Sequence, residues 1–148
     1  MNFDYQRLYL TTEGRIGRQD FWMGILGFVV AGIILSIIIY AIAGSTSFTA
    51  RLLNFIVQLV FAYPSYALMA KRFHDRDKPE SYALIIVGLS LLSGLINLFW
   101  VSAPMQGGFF GAIVGIVILA IAIWVLVELG ILRGTVGANQ YGPDPVGP

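Results

Sequence analysis

The 148 residues are 57% hydrophobic and only 11% charged, against roughly 25% charge in an average soluble domain, so this much apolar surface has no polar coat to hide under. A formal net charge of +1 without a dense basic block excludes a nucleic-acid surface. The absence of cysteine excludes disulfides and thiolate metal centres.

Four apolar runs take up most of the length, at about 21–43, 52–70, 81–103 and 109–132. Each is long enough to cross a hydrocarbon core of ~30 Å at 1.5 Å per residue. Only the last run contains a charge, Glu128. The expected fold is an all-α membrane protein. It is a bundle of four transmembrane helices in a single integral membrane domain, 1–148, contacting the lipid bilayer. Continuous rather than alternating apolarity argues against a β-barrel. Ala41-Ile42-Ala43 resembles a signal-peptide cleavage site, but the run before it is longer than a signal core of ~7–15 residues and follows a mixed-charge stretch.

Ahead of the first run stand Arg7, Arg15 and Arg18; Lys71, Arg72, Arg76 and Lys78 follow the second; Arg133 follows the fourth. Four spans put these eight cations on one side and leave Arg51 alone on the other, so both termini are expected in the cytoplasm. Asp4, Glu13, Asp20, Asp75, Asp77, Glu80 and Asp144 fall on the same side as the eight. That face can therefore build ion pairs, where a purely basic face would only attract anionic lipid.

Within the runs, Gly27 with Ala31, Gly32 with Ser36, and Gly111 with Gly115 are small pairs at i,i+4 that allow close helix packing. The first reading is an intramolecular bundle; the second is a homo-oligomer through Gly111 and Gly115. In the second run Asn54 and Gln58 should face other helices, and Pro64 should kink the helix near its middle.

Three polar segments carry the specific residues. The first is Gly14-Arg15-Ile16-Gly17-Arg18-Gln19-Asp20-Phe21-Trp22, and the second is Lys71-Arg72-Phe73-His74-Asp75-Arg76-Asp77. If the second helix continues, Asp75 pairs with Lys71 at i,i+4 and with Arg72 at i,i+3. The third is the tail from Gly134-Thr135 to Pro143-Asp144-Pro145, whose glycines and prolines favour turns over helix. Asn139, Tyr141 and Asp144 are expected to fold back onto Arg15, Arg18, Arg72, His74 and Asp75. Together they would form a cytoplasmic cap able to hold a ligand.

These segments, in this order around four spans, resemble the domain of unknown function 805 family of small bacterial inner-membrane proteins. The likeness runs from about Arg15 to Pro145. One departure stands out: Arg76-Asp77-Lys78-Pro79-Glu80-Ser81-Tyr82 replaces a small turn followed by Trp. The resemblance implies location and fold, and no reaction.

A His beside an Asp can act as a general base or metal ligand, and Asp77 and Asp144 could add oxygen ligands. A single histidine without a nucleophile motif favours a structural, hydrogen-bonding role. The expectation is therefore no enzyme, no cofactor and no metal. Glu128 lies about four residues, ~6 Å, from the end of its span, and an intramembrane acid is a functional suspect. Its expected partner is one of Arg15, Arg18 and Arg72, with Arg72 favoured.

The expected function is an accessory or interaction protein. It would bind an anionic lipid headgroup or a membrane-protein partner through its cytoplasmic face. The alternative is a small oligomeric transporter or channel coupled through Glu128.

Overall fold

The structure, a computed structural model, describes residues 4–99 and 108–147, and these are helical without a named strand. A short helix α1 (Tyr5–Tyr9) opens the described chain, capped by the Asp4 carboxylate, which accepts from Arg7 N–H at 3.0 Å. Helix α2 (Arg18–Ala43) starts three residues before the apolar run, with Asp20 in its first turn, where helix N-terminal charge favours an acid. Helix α3 (Phe48–Asp75) begins on Ser47, whose hydroxyl accepts from Ala50 N–H at 3.0 Å. Pro64 lies inside α3 without ending it.

Helix α3 also runs five residues past the expected end of its apolar run. That extension winds Lys71, Arg72, His74 and Asp75 into helix. Helix α4 is Ser81–Phe99; the rest of the expected third span, and the loop after it, lie outside the described residues. Helix α5 (Gly108–Val125) covers most of the fourth run, whose last turn, Leu126–Ile131, is π-helical. A π turn holds one more residue per hydrogen-bonded ring than an α turn, so it re-aims the side chains it carries.

Three of these helices, α2, α3 and α4, are long and apolar enough to cross a membrane. Their surfaces fit lipid better than water: on α2, Leu26, Ile33 and Ile37 are each more than half exposed. Helix α3 lies against both α2 and α4, and α1 rests on α3 and α2. Among the described residues the α5 backbone stands off from α2, α3 and α4, and the π turn joins it to α2 and α3. The gap is an apolar cleft of about 650 Å³ between α2, α4 and α5, walled by residues such as Ile25, Leu89 and Ile121.

Close packing does use small residues, though not at all the expected places. A Cβ on Gly24 would run into Leu68, and one on Gly27 into the Tyr9 hydroxyl, which donates to Gly24 O at 2.9 Å. Gly32 and Gly115 face open space, and the surroundings of Gly111 lie outside the described positions. Asn54 and Gln58 do face neighbours: Ser36 donates to Asn54 Oδ1 at 3.3 Å, and Gln58 donates to Ser90 O on α4 at 2.8 Å. The buried apolar cluster, with Leu8, Ile16, Phe21, Leu68, Phe73 and Leu129, gathers at the end of the molecule that carries the charges. It forms the floor of the polar site.

Candidate functional site

The helix of the fourth run ends at this floor, and its final carbonyl oxygens have no partner further along the chain. Side chains from elsewhere supply five donors in succession. Arg72 Nε donates to Leu129 O at 2.6 Å, and Trp22 Nε1 to Gly130 O at 3.1 Å. Arg18 Nη1 donates to Ile131 O at 3.0 Å, Arg72 Nη2 to Leu132 O at 2.5 Å, and Arg76 Nη1 to Arg133 O at 2.5 Å. Four of the five donors are cationic, which also suits the negative end of a helix.

Asp75 stands at the centre. Arg15 grips its Oδ1 with Nε at 3.1 Å and Nη2 at 2.9 Å, while Arg72 Nη1 holds its Oδ2. All three side chains are buried. Two guanidiniums on one carboxylate leave a surplus positive charge, and carbonyl oxygens surround it. Arg15 also donates to Thr135 O at 2.6 Å, Gly137 O at 2.7 Å and Gly142 O at 3.2 Å. The planar fork of arginine suits such divided duty; a lysine could not hold a carboxylate side-on and three carbonyls at once. The Asp75 backbone adds a further tie, accepting from Thr135 N–H at 2.8 Å. Gly134 permits this approach, because a Cβ there would overlap the Asp75 carboxylate.

The tail turns are built by their own side chains. Asn139 donates through Nδ2 to His74 O at 2.8 Å and to Thr135 Oγ1 at 2.9 Å, and its Oδ1 accepts from Tyr141 N–H at 2.9 Å. The resulting tight turn is closed by paired backbone bonds between Asn139 and Gly142. Tyr141 lays its ring flat on the His74 imidazole. His74 Nδ1 lies 3.2 Å from Gly14 O, which places the ring proton on that nitrogen.

Asp144 stays within the tail, accepting from Val146 N–H at 3.0 Å and Gly137 N–H at 3.2 Å. The Val146 amide first, and then the Gly137 amide, hold its carboxyl below the ordinary aspartate range. Gly137 takes φ = +79°, a left-handed conformation that suits glycine.

Of the eight residues expected at this site, Arg15, Arg72, His74, Asp75, Asn139 and Tyr141 form one connected network. Arg18 and Asp144 stand at its edges: Arg18 is on the Ile131 carbonyl, and Asp144 closes the last turn. Two expected pairings are wrong. Lys71 does not pair with Asp75; its ammonium donates to the carbonyls of Arg7 and Leu8, fastening α1. Nor does Glu128 pair with Arg15, Arg18 or Arg72. Its Oε1 meets Lys78 Nζ at 2.7 Å and Arg76 Nε at 3.1 Å. The reason is geometric: Arg72 is already engaged by Asp75 and by the carbonyls of Leu129, Leu132 and Ile16, and the π turn carries Glu128 toward the turn after α3.

Sequence reasoning thus missed Arg76, Lys78, Trp22 and Thr135 as parts of this network, and gave Lys71 the wrong partner. Arg76 and Lys78 had left a signal, being the added charges of the turn before α4. Lys78 also sits about 6 Å from the ring centroids of Trp124 and Tyr82, which pack around Phe73. Among the described residues, no three of the His, Asp and Glu side chains gather as a metal would require.

An all-helical chain with long apolar helices, clamped at one end by buried arginines and a folded-back tail, is the class of protein defined here. The family described as protein of unknown function (DUF805) matches residues 9–143, and the chain belongs to it. The chain is similar to the uncharacterized protein YiiR of Escherichia coli strain K12. The two are 33% identical over 140 residues, covering 94% of this chain and 88% of that one. The YiiR protein of Escherichia coli O157:H7 shows the same identity and coverage. No solved structure matches.

Proposed function

We propose that this chain is a multi-pass protein of the bacterial inner membrane, with four spanning helices and both termini in the cytoplasm. In this reading it is a non-enzymatic accessory protein. Its clamped cytoplasmic face is a rigid platform for a membrane-protein partner or an anionic lipid headgroup.

One observation carries the reading. The buried polar side chains of that face, Arg15, Arg72 and Asp75, are engaged by one another and by backbone carbonyls. Groups so engaged suit a scaffold better than chemistry on a substrate. The clefts of about 650, 280 and 180 Å³ are lined by none of Arg15, Arg72, His74 or Asp75. Arg18 and Arg133 are exposed at the rim and are the groups that would meet a partner. Self-association through Gly111 and Gly115 is a compatible addition, since Gly115 faces open space. The transporter reading, coupled through Glu128, is less supported, because that carboxylate already holds two cations.

Purification in mild detergent, with bound lipids and proteins identified by mass spectrometry, tests the reading. The wild type should retain a stoichiometric companion that an Arg18→Glu, Arg133→Glu double variant loses. Recovery of both chains alone would overturn it. Reporter fusions after Val146 and within 44–47 should report opposite sides; a C-terminus outside the cytoplasm would refute the topology.

A further inference from the structure

Opposite the clamp, the first turn of α3 carries Arg51, the fourth residue of that helix and about 5 Å along it. All eight acids of the sequence belong to segments at the clamp end, and residues 100–107 contain none. Among the described residues Arg51 therefore has no counter-charge. Its Nη1 donates to Thr46 O at 2.9 Å, and the guanidinium carbon sits 6.0 Å from the Phe48 ring centroid. Its Nε is buried and makes no hydrogen bond among the described residues. A buried donor without a partner is costly, and more so when it belongs to a charged group.

Arg51 lines a cleft of about 280 Å³ between the end of α2, the start of α3 and the second half of α4. Other polar groups line the same space. Asn54 and Gln58 are held in place, by Ala50 O at 2.9 Å and Ser90 O at 2.8 Å. Gly94 makes room for Gln58, because a Cβ there would collide with its amide. Tyr40, Ser45 and Asn97 also line the cleft, and their side chains make no hydrogen bonds among the described residues. A guanidinium with an unpaired N–H, set beside neutral polar side chains, is complementary to an oxygen-rich anion.

We propose that this cleft binds a phosphate group, supplied either by a phospholipid headgroup or by the free anion. The Arg51 guanidinium donates the central charge-assisted hydrogen bond, and Asn97 contributes from the α4 wall. A tetrahedral oxyanion offers several acceptors to a ring of donors, where a carboxylate offers two oxygens in one plane. The lipid source rests on the membrane topology proposed above, with this end at the outer surface; the free anion does not. The site is independent of the clamp and of any partner held there.

The test uses the full chain, stripped of lipid in a non-ionic maltoside detergent. It is titrated separately with inorganic phosphate and with dihexanoyl phosphatidylglycerol, at ionic strength fixed with chloride, and binding is read by calorimetry and thermal midpoint. At least one probe should bind and raise the midpoint. Arg51→Gln should weaken that binding about tenfold or more, and Asn97→Ala severalfold. Binding of inorganic phosphate assigns the free anion, and binding of the phosphatidylglycerol alone assigns the headgroup. Asn97 is exposed, so Asn97→Ala keeps the test valid if Arg51→Gln fails to fold. Absence of binding by both probes overturns the proposal, as does binding by the folded variants at wild-type affinity.

Discussion

The imidazole of His74 and the phenol ring of Tyr141 lie face to face, with centroids 3.9 Å apart and planes 5° from parallel. The contact joins the last turn of α3 to the tail, and it makes Tyr141 the aromatic lid over the clamp. Tyr141→Ala should release the tail to proteolysis and lower the thermal midpoint in detergent. Loss of the ring contact is worth about 0.5–1.5 kcal/mol beyond the buried area. Tyr141→Phe keeps the ring and should behave as wild type. Equal protease sensitivity of all three proteins would show that the stack holds nothing.

The three buried charges of the clamp predict a large penalty for Asp75→Asn. The substitution leaves Arg15 and Arg72 facing each other without the carboxylate that both hold. Removing one member of a buried pair costs about 3–5 kcal/mol, and two cations are orphaned here. Glu80→Gln, at an exposed carboxylate 3.9 Å from His74 Nε2, should change stability by well under 1 kcal/mol. Equilibrium unfolding in mixed micelles measures both, and comparable effects would remove Asp75 from the centre of the site.

Glu128 should couple energetically to Arg76 and not to Arg72. In a double-mutant cycle, Arg76→Ala with Glu128→Ala should show an interaction energy of about 0.5–3 kcal/mol, as contacting charges do. The cycle of Arg72→Ala with Glu128→Ala should be additive within about 0.5 kcal/mol. The reverse pattern would return Arg72 to Glu128.

Asp144 makes the tail turn sensitive to acid in a definite direction. Its carboxyl titrates below the ordinary aspartate range because Val146 and Gly137 donate amide hydrogens to the charged form. A depressed folded-state pKa stabilises the turn above the unfolded value, and that contribution is lost as pH falls through the folded value. The turn should therefore outlast the pH at which a free aspartate is half protonated. The amide resonances of Gly137 and Val146 in micelles report it, and a midpoint at or above the free value would refute the contacts.

Much of the helical frame was legible because apolar run length is a composition signal that needs no tertiary knowledge. The runs located α2, α3 and α4 to within a few residues at most described ends. The polar network was half legible. Arg15, Arg72, His74, Asp75, Asn139 and Tyr141 stood out because polar turns beside apolar helices need partners on the same side. The partner of Glu128 was not legible, because it depends on a one-residue change of hydrogen-bond register in the turn Leu126–Ile131, and a π turn leaves no mark in composition. Lys71 was misassigned for a related reason. The five residues of α1 are too few for a periodic pattern, so the carbonyls that take its ammonium were invisible.

The carbonyl row from Leu129 to Arg133 has a consequence for how the molecule is made. Three of its donors, Arg18, Trp22 and Arg72, precede the row by 57 residues or more along the chain. A ribosome delivers those donors first, so they wait in water or at the membrane surface until the final helix arrives. The same holds for Arg15, whose acceptors at Thr135, Gly137 and Gly142 come later still. The helices can thus be inserted one after another while the clamp stays open. It shuts only when residues 134–147 have left the exit tunnel, so a product cut before them leaves Arg15 without three of its carbonyl partners.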